Sequence, residues 1–271
     1  MFSLHIFWLS VIQGLTEFLP VSSSGHLILF AKYTNFGDQG QAIDIALHIG
    51  SLIAVVYYFW KTIKGMIVDL FRHKFAFDMK IENIRLAYYL VFATIPAVVI
   101  GGILSYIGMD WVRTSKLIGW TLIIYSLLLW YADTKFSTKK NLSDMKLKEA
   151  LAIGFAQCLA FMPGTSRSGV TITAGRFLGF NRSEIAKFSM LLSIPSILSA
   201  GILMTYQVYK GNVITELSLA YQAIGMSFIF SFLAIFLMMK WLRFATFLPF
   251  VIYRIVLGGL LLANAYGFIN N

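Results

Sequence analysis

Apolar residues run along this chain in long unbroken stretches, without the alternation of a half-buried strand or the one-sided period of a surface helix. Leu86 to Met109, Phe188 to Tyr209 and Leu217 to Met239 carry no charge at all, and each has the roughly 20 residues that a bilayer crossing needs. Three shorter runs, Ile45 to Trp60, Leu117 to Ala132 and Phe247 to Phe268, reach spanning length when their ends snorkel or their flanks join, and the last of them contains Arg254. Two further apolar regions, Phe2 to Ala31 and Ala150 to Leu178, are broken in the middle by Pro, Ser and Gly, leaving too few residues on either side for a crossing. The pattern predicts an all-α polytopic membrane protein of about six transmembrane helices plus two re-entrant helix-loop-helix segments. Non-helical backbone at membrane depth survives only where protein or a wet cavity satisfies its polar groups. Both breaks are therefore expected to face the bundle interior.

Composition agrees with a lipid environment: 58% of the residues are hydrophobic and 13% charged, against roughly half and about a quarter in soluble domains. No linker divides the chain, so residues 1–271 are read as a single membrane domain. The formal net charge of +10 sits in loops that flank apolar runs, without the interleaved aromatics of a nucleic-acid surface, and topology accounts for it better. Cys158 is the single cysteine, which excludes a disulfide or a thiolate metal cluster within one chain. The first apolar run is interrupted by Gln13 and Glu17 and lacks a basic start; it reads as part of the mature chain and not as a cleaved leader.

Loops 61–85, 133–150, 176–187 and 240–243 hold sixteen of the twenty-two Lys and Arg residues, which places them in the cytoplasm. Lys32, Arg113, Lys116 and Lys210 fall on the other side, and Arg167 and Arg254 within membrane segments. Both termini are then outside, the first break enters from outside and the second from the cytoplasm. Three crossings per half make halves 1–132 and 150–271 antiparallel, the geometry of an inverted repeat with its site at the repeat interface. Glu17-Phe-Leu-Pro-Val-Ser-Ser-Ser-Gly25 echoes Ala160-Phe-Met-Pro-Gly-Thr-Ser-Arg-Ser-Gly169 with one extra residue in the second copy.

The breaks carry the candidate chemistry. Gln13 and Glu17, four apart, share a helix face pointing at the first break. Ser22, Ser23, Ser24 and Gly25 follow Pro20, where hydroxyls cap a returning half-helix whose free N–H groups favour an anion. His26 stands three after Ser23, so a hydroxyl and an imidazole are expected on one face. An ionisable group at this depth is costly unless paired or used. The second break, Pro163-Gly-Thr-Ser-Arg-Ser-Gly-Val-Thr171, sets the planar donor fork of Arg167 among Gly164, Thr165, Ser166, Ser168, Gly169 and Thr171 and reads as a phosphate clamp. A plain Arg167–Glu17 salt bridge between the halves is the structural alternative. Arg254 is explained by snorkelling as well as by a site role, and Asp44 fits an N-cap with His48 one turn on.

Gln13-Gly-Leu-Thr-Glu17, Pro20-Val-Ser-Ser-Ser-Gly-His26 and Pro163-Gly-Thr-Ser-Arg-Ser-Gly-Val-Thr171 resemble the motifs of the bacterial undecaprenyl pyrophosphate phosphatase family, also described as bacitracin-resistance proteins, with span count and length matching over essentially the whole chain. At the first acidic-or-amide position of that pattern this chain has Gln13, which orients or donates but cannot act as a base. The resemblance implies removal of one phosphate from undecaprenyl pyrophosphate in the bacterial inner membrane, at a site open to the outer face. It implies Glu17, Ser23, His26 and Arg167 as catalytic residues, with Gln13, Ser166 and Thr171 beside them; Ser22, Ser24, Gly25, Gly164, Thr165 and Ser168 complete the expected substrate contacts. Mg2+ or Ca2+ is the expected cofactor, with Glu17 as its protein ligand, and no organic cofactor is called for. Expected partners are the polyprenyl pyrophosphate, membrane lipids and no nucleic acid, with a homo-oligomer left open. Opposed re-entrant segments around an anion site are also transporter architecture, so a lipid-phosphate transporter or flippase is the rival reading, and a purely structural membrane protein the third.

Overall fold

The computed structural model describes residues 3–34, 40–108, 112, 114–210 and 217–268. Phe2, Met109 and the outer-loop cation Arg113 lie outside the described residues. The described residues are helical apart from turns and one isolated parallel bridge, Lys140 to Phe180. In chain order the helices are α1 (Leu4–Thr16), α2 (Ser23–Tyr33), α3 (Gln41–Tyr58), α4 (Trp60–Arg72), α5 (Glu82–Ile107), α6 (Ser115–Lys135), α7 (Leu147–Gln157), α8 (Arg167–Phe177), α9 (Arg182–Lys210), α10 (Leu217–Trp241) and α11 (Leu248–Ala265). α3, α5, α6, α9, α10 and α11 are long and apolar enough to cross a membrane, and they coincide with the six expected spans. The protein is a multi-pass integral membrane protein. Its exposed apolar side chains, among them Ile103, Ile202 and Val256, suit a hydrocarbon solvent.

α1–α2 and α7–α8 are the two broken pairs, with 13, 11, 11 and 11 residues respectively. At about 1.5 Å per residue, none of the four spans the roughly 30 Å hydrocarbon core by itself. Each pair leans on a long helix of the other half of the chain: α1 packs along α10, and α7 along α5. Close approach there requires residues without a side chain. A Cβ at Gly14 would lie 2.5 Å from Phe230 Cβ, and one at Gly154 would lie 2.3 Å from the Ala93 carbonyl oxygen. Membrane helices are held by such contacts because burial of apolar surface from lipid gains little. α3 pairs with α10 and α9, and α6 with α11 and α8, so long helices flank both breaks.

Two features depart from the sequence reading. Residues 61–85 are not all loop, because α4 occupies their first part and packs on α5. Its Ile63, Met66, Ile67 and Leu70 alternate with Lys61, Lys64, Asp69 and Arg72 at helical spacing, a one-sided period that a count of loop charges passes over. Arg176, counted with the cytoplasmic loop cations, is fully buried in α8. Its guanidinium pairs with Asp133 of α6 at 2.9 Å, and Arg182 reaches the same carboxylate oxygen at 2.7 Å. Arg176 also donates to the carbonyls of Ser137, Phe136 and Phe180, while Asp133 accepts the Phe247 amide. This network knots α6, α8, α9 and the start of α11 together at one end of the bundle.

Candidate active site

The two breaks repeat one turn. Ser22 has φ of +79° and caps α2 by accepting the Gly25 amide; Ser166 has φ of +72° and caps α8 by accepting the Gly169 amide. In each copy the cap hydroxyl also meets the hydroxyl two residues on, Ser24 at 3.4 Å and Ser168 at 3.1 Å. The copies touch. A Cβ on Gly25 would sit 3.3 Å from Gly164 Cα, and Ser168 donates to the Leu19 carbonyl at 2.9 Å. Gly164 has φ of +85°, and a Cβ there would fall 2.2 Å from Thr121 Oγ1, so neither backbone nor space admits another residue.

Superposing Ser22-Ser23-Ser24-Gly25 on Ser166-Arg167-Ser168-Gly169 sets Ser23 opposite Arg167, each the first residue of its helix. Both reach for the same carboxylate. Ser23 Oγ donates to Glu17 Oε2 at 2.7 Å, and Arg167 Nη2 donates to Glu17 Oε1 at 2.8 Å. Gln13 Nε2, one turn back on α1, donates to Oε2 at 3.0 Å, and His48 Nε2 stands 3.8 Å from that oxygen. The second fork nitrogen of Arg167 donates to the Ser189 carbonyl at 3.1 Å, and Ser189 Oγ meets Thr171 Oγ1 at 2.7 Å. Glu17 is 8% exposed and Arg167 15%, so their charges interact with little screening by solvent.

Glu17, Ser22, Ser23, Ser24, Ser166, Arg167 and His48 line one end of a cavity of about 500 Å³. Its remainder is formed by α5, α9 and the end of α7, with Val98, Gly101, Gly102, Ile197, Ala200 and Leu203 giving apolar walls. The N-termini of α2 and α8 open at the polar end, and their first-turn amides outside the helical ladder make an anion cradle. A strong acceptor, a hydroxyl, a guanidinium and two helix N-termini at one point are the parts of a phosphoryl-transfer site.

Of the expected site residues, Gln13, Glu17, Ser23, Arg167 and Thr171 join in one hydrogen-bonded chain. Ser22, Ser24, Gly25, Gly164, Ser166 and Ser168 build the paired turns. Thr165 is buried, its hydroxyl has no partner, and it contributes its carbonyl. His26 is placed apart from Ser23: its ring bonds the Ser22 carbonyl and the Tyr253 hydroxyl, each at 2.6 Å. The expectation of a hydroxyl and imidazole sharing a face is therefore corrected. Three residues along a helix leave a rotation of about 60° between side chains, enough to send Ser23 toward Glu17 and His26 toward α11. Asp44 lies in the first turn of α3 and Gly40 takes the cap position, so the expected Asp44 cap is not formed, whereas His48 is at the site.

Tyr253 was not expected here, and its neighbour on α11, Arg254, for which snorkelling and a site role stood level, is at the site. Arg254 is fully buried and donates to the Pro20 carbonyl at 3.0 Å, the Gly164 carbonyl at 3.1 Å and the Thr165 carbonyl at 3.0 Å. It holds both breaks from below the cradle. Snorkelling is excluded by that burial.

Among the described residues no group of three His, Cys, Asp or Glu side chains could hold a metal ion. For Mg2+ or Ca2+, the fit rests on Glu17 and on Gln13 Oε1, which is buried without a hydrogen-bond partner. Two oxygens are a thin ligand set for these hard cations, completed only by phosphate oxygens and water. Arg167 occupies Glu17 Oε1, so a cation fits beside Glu17 once the guanidinium has turned to a phosphate.

Fold and site together define a polytopic membrane protein with a buried phosphoryl-transfer type of centre. The chain belongs to the bacitracin resistance protein BacA family, whose model matches residues 6–260. It is 44% identical over 263 residues to the undecaprenyl-diphosphatase of Ruegeria pomeroyi, covering 97% of this chain and 98% of that protein. The undecaprenyl-diphosphatase of Alteromonas mediterranea is 44% identical over 258 residues, 95% of this chain and 97% of the relative, and that of a Jannaschia species 42% over 262 residues, 96% and 98%.

Proposed function

We propose that this protein hydrolyses undecaprenyl pyrophosphate to undecaprenyl phosphate and inorganic phosphate, recycling the lipid carrier for cell-wall synthesis and thereby conferring bacitracin resistance. The observation that carries the reading is the Glu17 carboxylate clasped by Ser23 at 2.7 Å and Arg167 at 2.8 Å, at the polar end of a cavity with apolar walls. A pyrophosphate head suits the cradle, and the start of its prenyl chain suits the apolar wall that α5 and α9 give the cavity. The relatives reported above carry the name of a phosphatase, and the transporter reading has no support among them.

The terminal phosphate takes Arg167 from Glu17. The freed carboxylate then accepts the Ser23 proton as Oγ attacks the terminal phosphorus; the bond from phosphorus to the bridging oxygen breaks, and undecaprenyl phosphate leaves with that oxygen. Arg167 and the first-turn amides of α2 and α8 neutralise the equatorial oxygens. Glu17 passes the Ser23 proton to the departing undecaprenyl phosphate, takes one from the water that attacks the phosphoserine, and returns it to Ser23 Oγ as inorganic phosphate leaves. Gln13 holds Glu17 in place, and His26 acts as a positioning residue that fixes the Ser22 turn against Tyr253. Glu17 and Gln13 Oε1 would hold a Mg2+ or Ca2+ ion, which would supply charge neutralisation on the pyrophosphate. The basic loops favour an inner-membrane orientation with the site open to the outer face, and the repeated turn and exchanged packing of α1 and α7 favour halves 1–132 and 150–271 as an inverted repeat.

Purified protein in detergent is expected to release phosphate from undecaprenyl pyrophosphate, more slowly under chelator and at the original rate once Mg2+ or Ca2+ is returned. Absence of release under every cation condition would remove the reading. Ser23→Ala is expected to lower kcat by about a thousandfold or more, and labelled substrate to leave phosphate on Ser23 of the unmodified protein. Retention of activity by Ser23→Ala within about tenfold assigns the attack to water instead.

A further inference from the structure

Gln157, the last residue of α7, is 3% exposed and lines the same cavity. Its Oε1 meets Ser196 Oγ of α9 at 3.0 Å, whereas its Nε2 has no hydrogen-bond partner. A buried amide group left unmade is costly, and few remain in folded proteins without a reason. Ser196 Oγ also lies 2.8 Å from the Leu192 carbonyl, so its one proton goes either there or to the amide oxygen, and either orientation of the amide leaves one of its atoms without a partner. Beside an anion, the stable choice is the donor.

The position of Gln157 says which part of an anion it meets. Ser189, bonded to Arg167, and Ser196, bonded to Gln157, lie two turns apart on α9, about 10 Å along its axis. Beyond Ser196 the wall is apolar through Ile197, Ala200 and Leu203, with Ser199 its one hydroxyl. Gln157 thus stands between the Glu17–Arg167 centre and the apolar end. Resting on the phosphatase reading above, we propose that Gln157 Nε2 grips the phosphate that stays on the lipid, with Ser196 orienting the amide.

A contact of this kind is made equally before, during and after bond cleavage. It lowers KM and raises the affinity for lipid product without changing kcat. Gln157→Leu is expected to raise KM for undecaprenyl pyrophosphate about tenfold or more, to raise the inhibition constant of undecaprenyl phosphate in parallel, and to leave that of inorganic phosphate and kcat within about twofold. Gln157→Glu, which sets a carboxylate against the anion, is expected to exceed Gln157→Leu in both shifts, and Ser196→Ala to give a smaller rise in KM. The inference is overturned by KM unchanged in both Gln157 variants, by a fall in kcat alone, or by equal weakening of lipid phosphate and inorganic phosphate. If Gln157→Leu does not fold, the inhibition constants of Gln157→Glu and Ser196→Ala decide alone. Wild-type protein that releases no phosphate defeats the phosphatase reading itself, whereas active wild type with unchanged variants defeats only the role of Gln157.

Discussion

Glu17→Ala and Arg167→Ala are each expected to cut phosphate release by at least about a thousandfold and to destabilise the fold, while the double variant regains stability and stays inactive. Either single change leaves an uncompensated charge in a site where Glu17 is 8% and Arg167 15% exposed. Breaking a buried pair from one side costs roughly 3–5 kcal/mol, whereas removing both partners is close to neutral. The expected pattern in detergent is thus a lowered unfolding temperature for each single variant, with most of the loss recovered in the double. Activity follows another logic, because Ser23 loses its proton acceptor in the first case and the phosphate its fork of donors in the second. A bridge that only joined the halves predicts that activity returns with stability in the double variant, and that result would sink the catalytic assignment.

Glu17 and Arg167 were legible because ionisable residues in an apolar run demand a partner or a task, and both stand beside turn-forming residues that cannot continue a helix through lipid. The six spans were legible for the same reason, being fixed by the length of apolar sequence alone. What escaped depends on how the chain folds back. Ser23 and His26 diverge because the Ser22 turn aims the first residue of α2 at α1 and leaves His26 facing α11. Gln157 is the one polar residue of α7 after its first turn, and only the position of Ser196 on α9 makes its amide distinctive. α4 hid in a count of charges, though its amphipathic spacing was present in the sequence. The two-copy turn was visible as a serine-glycine echo, yet its consequence, Ser23 set opposite Arg167, needed the backbone angles of Ser22 and Ser166.

Arg254→Ala is expected to lower kcat by about a hundredfold and to cost the fold about 3–5 kcal/mol. The three carbonyls it serves come from residues 234, 90 and 89 positions away, which is why sequence gave no sign of the tether. No carboxylate pairs with it among the described residues; a fully buried cation is held by carbonyl dipoles alone. Its removal strands those carbonyls at membrane depth, where no water replaces the bonds. The two breaks then lose their common anchor, and with it the register that sets Ser23 and Arg167 on opposite oxygens of Glu17. A displacement of about 1 Å at reacting groups is enough for a hundredfold loss. Arg254→Lys keeps the charge, yet one ammonium on a flexible stem does not reproduce a planar fork that reaches both breaks, so an intermediate loss is expected. Unfolding temperature and kcat measured together on both variants test the tether. Wild-type values of both for Arg254→Ala would overturn the tether, and a stability loss with full kcat would mean that the breaks hold their register without it.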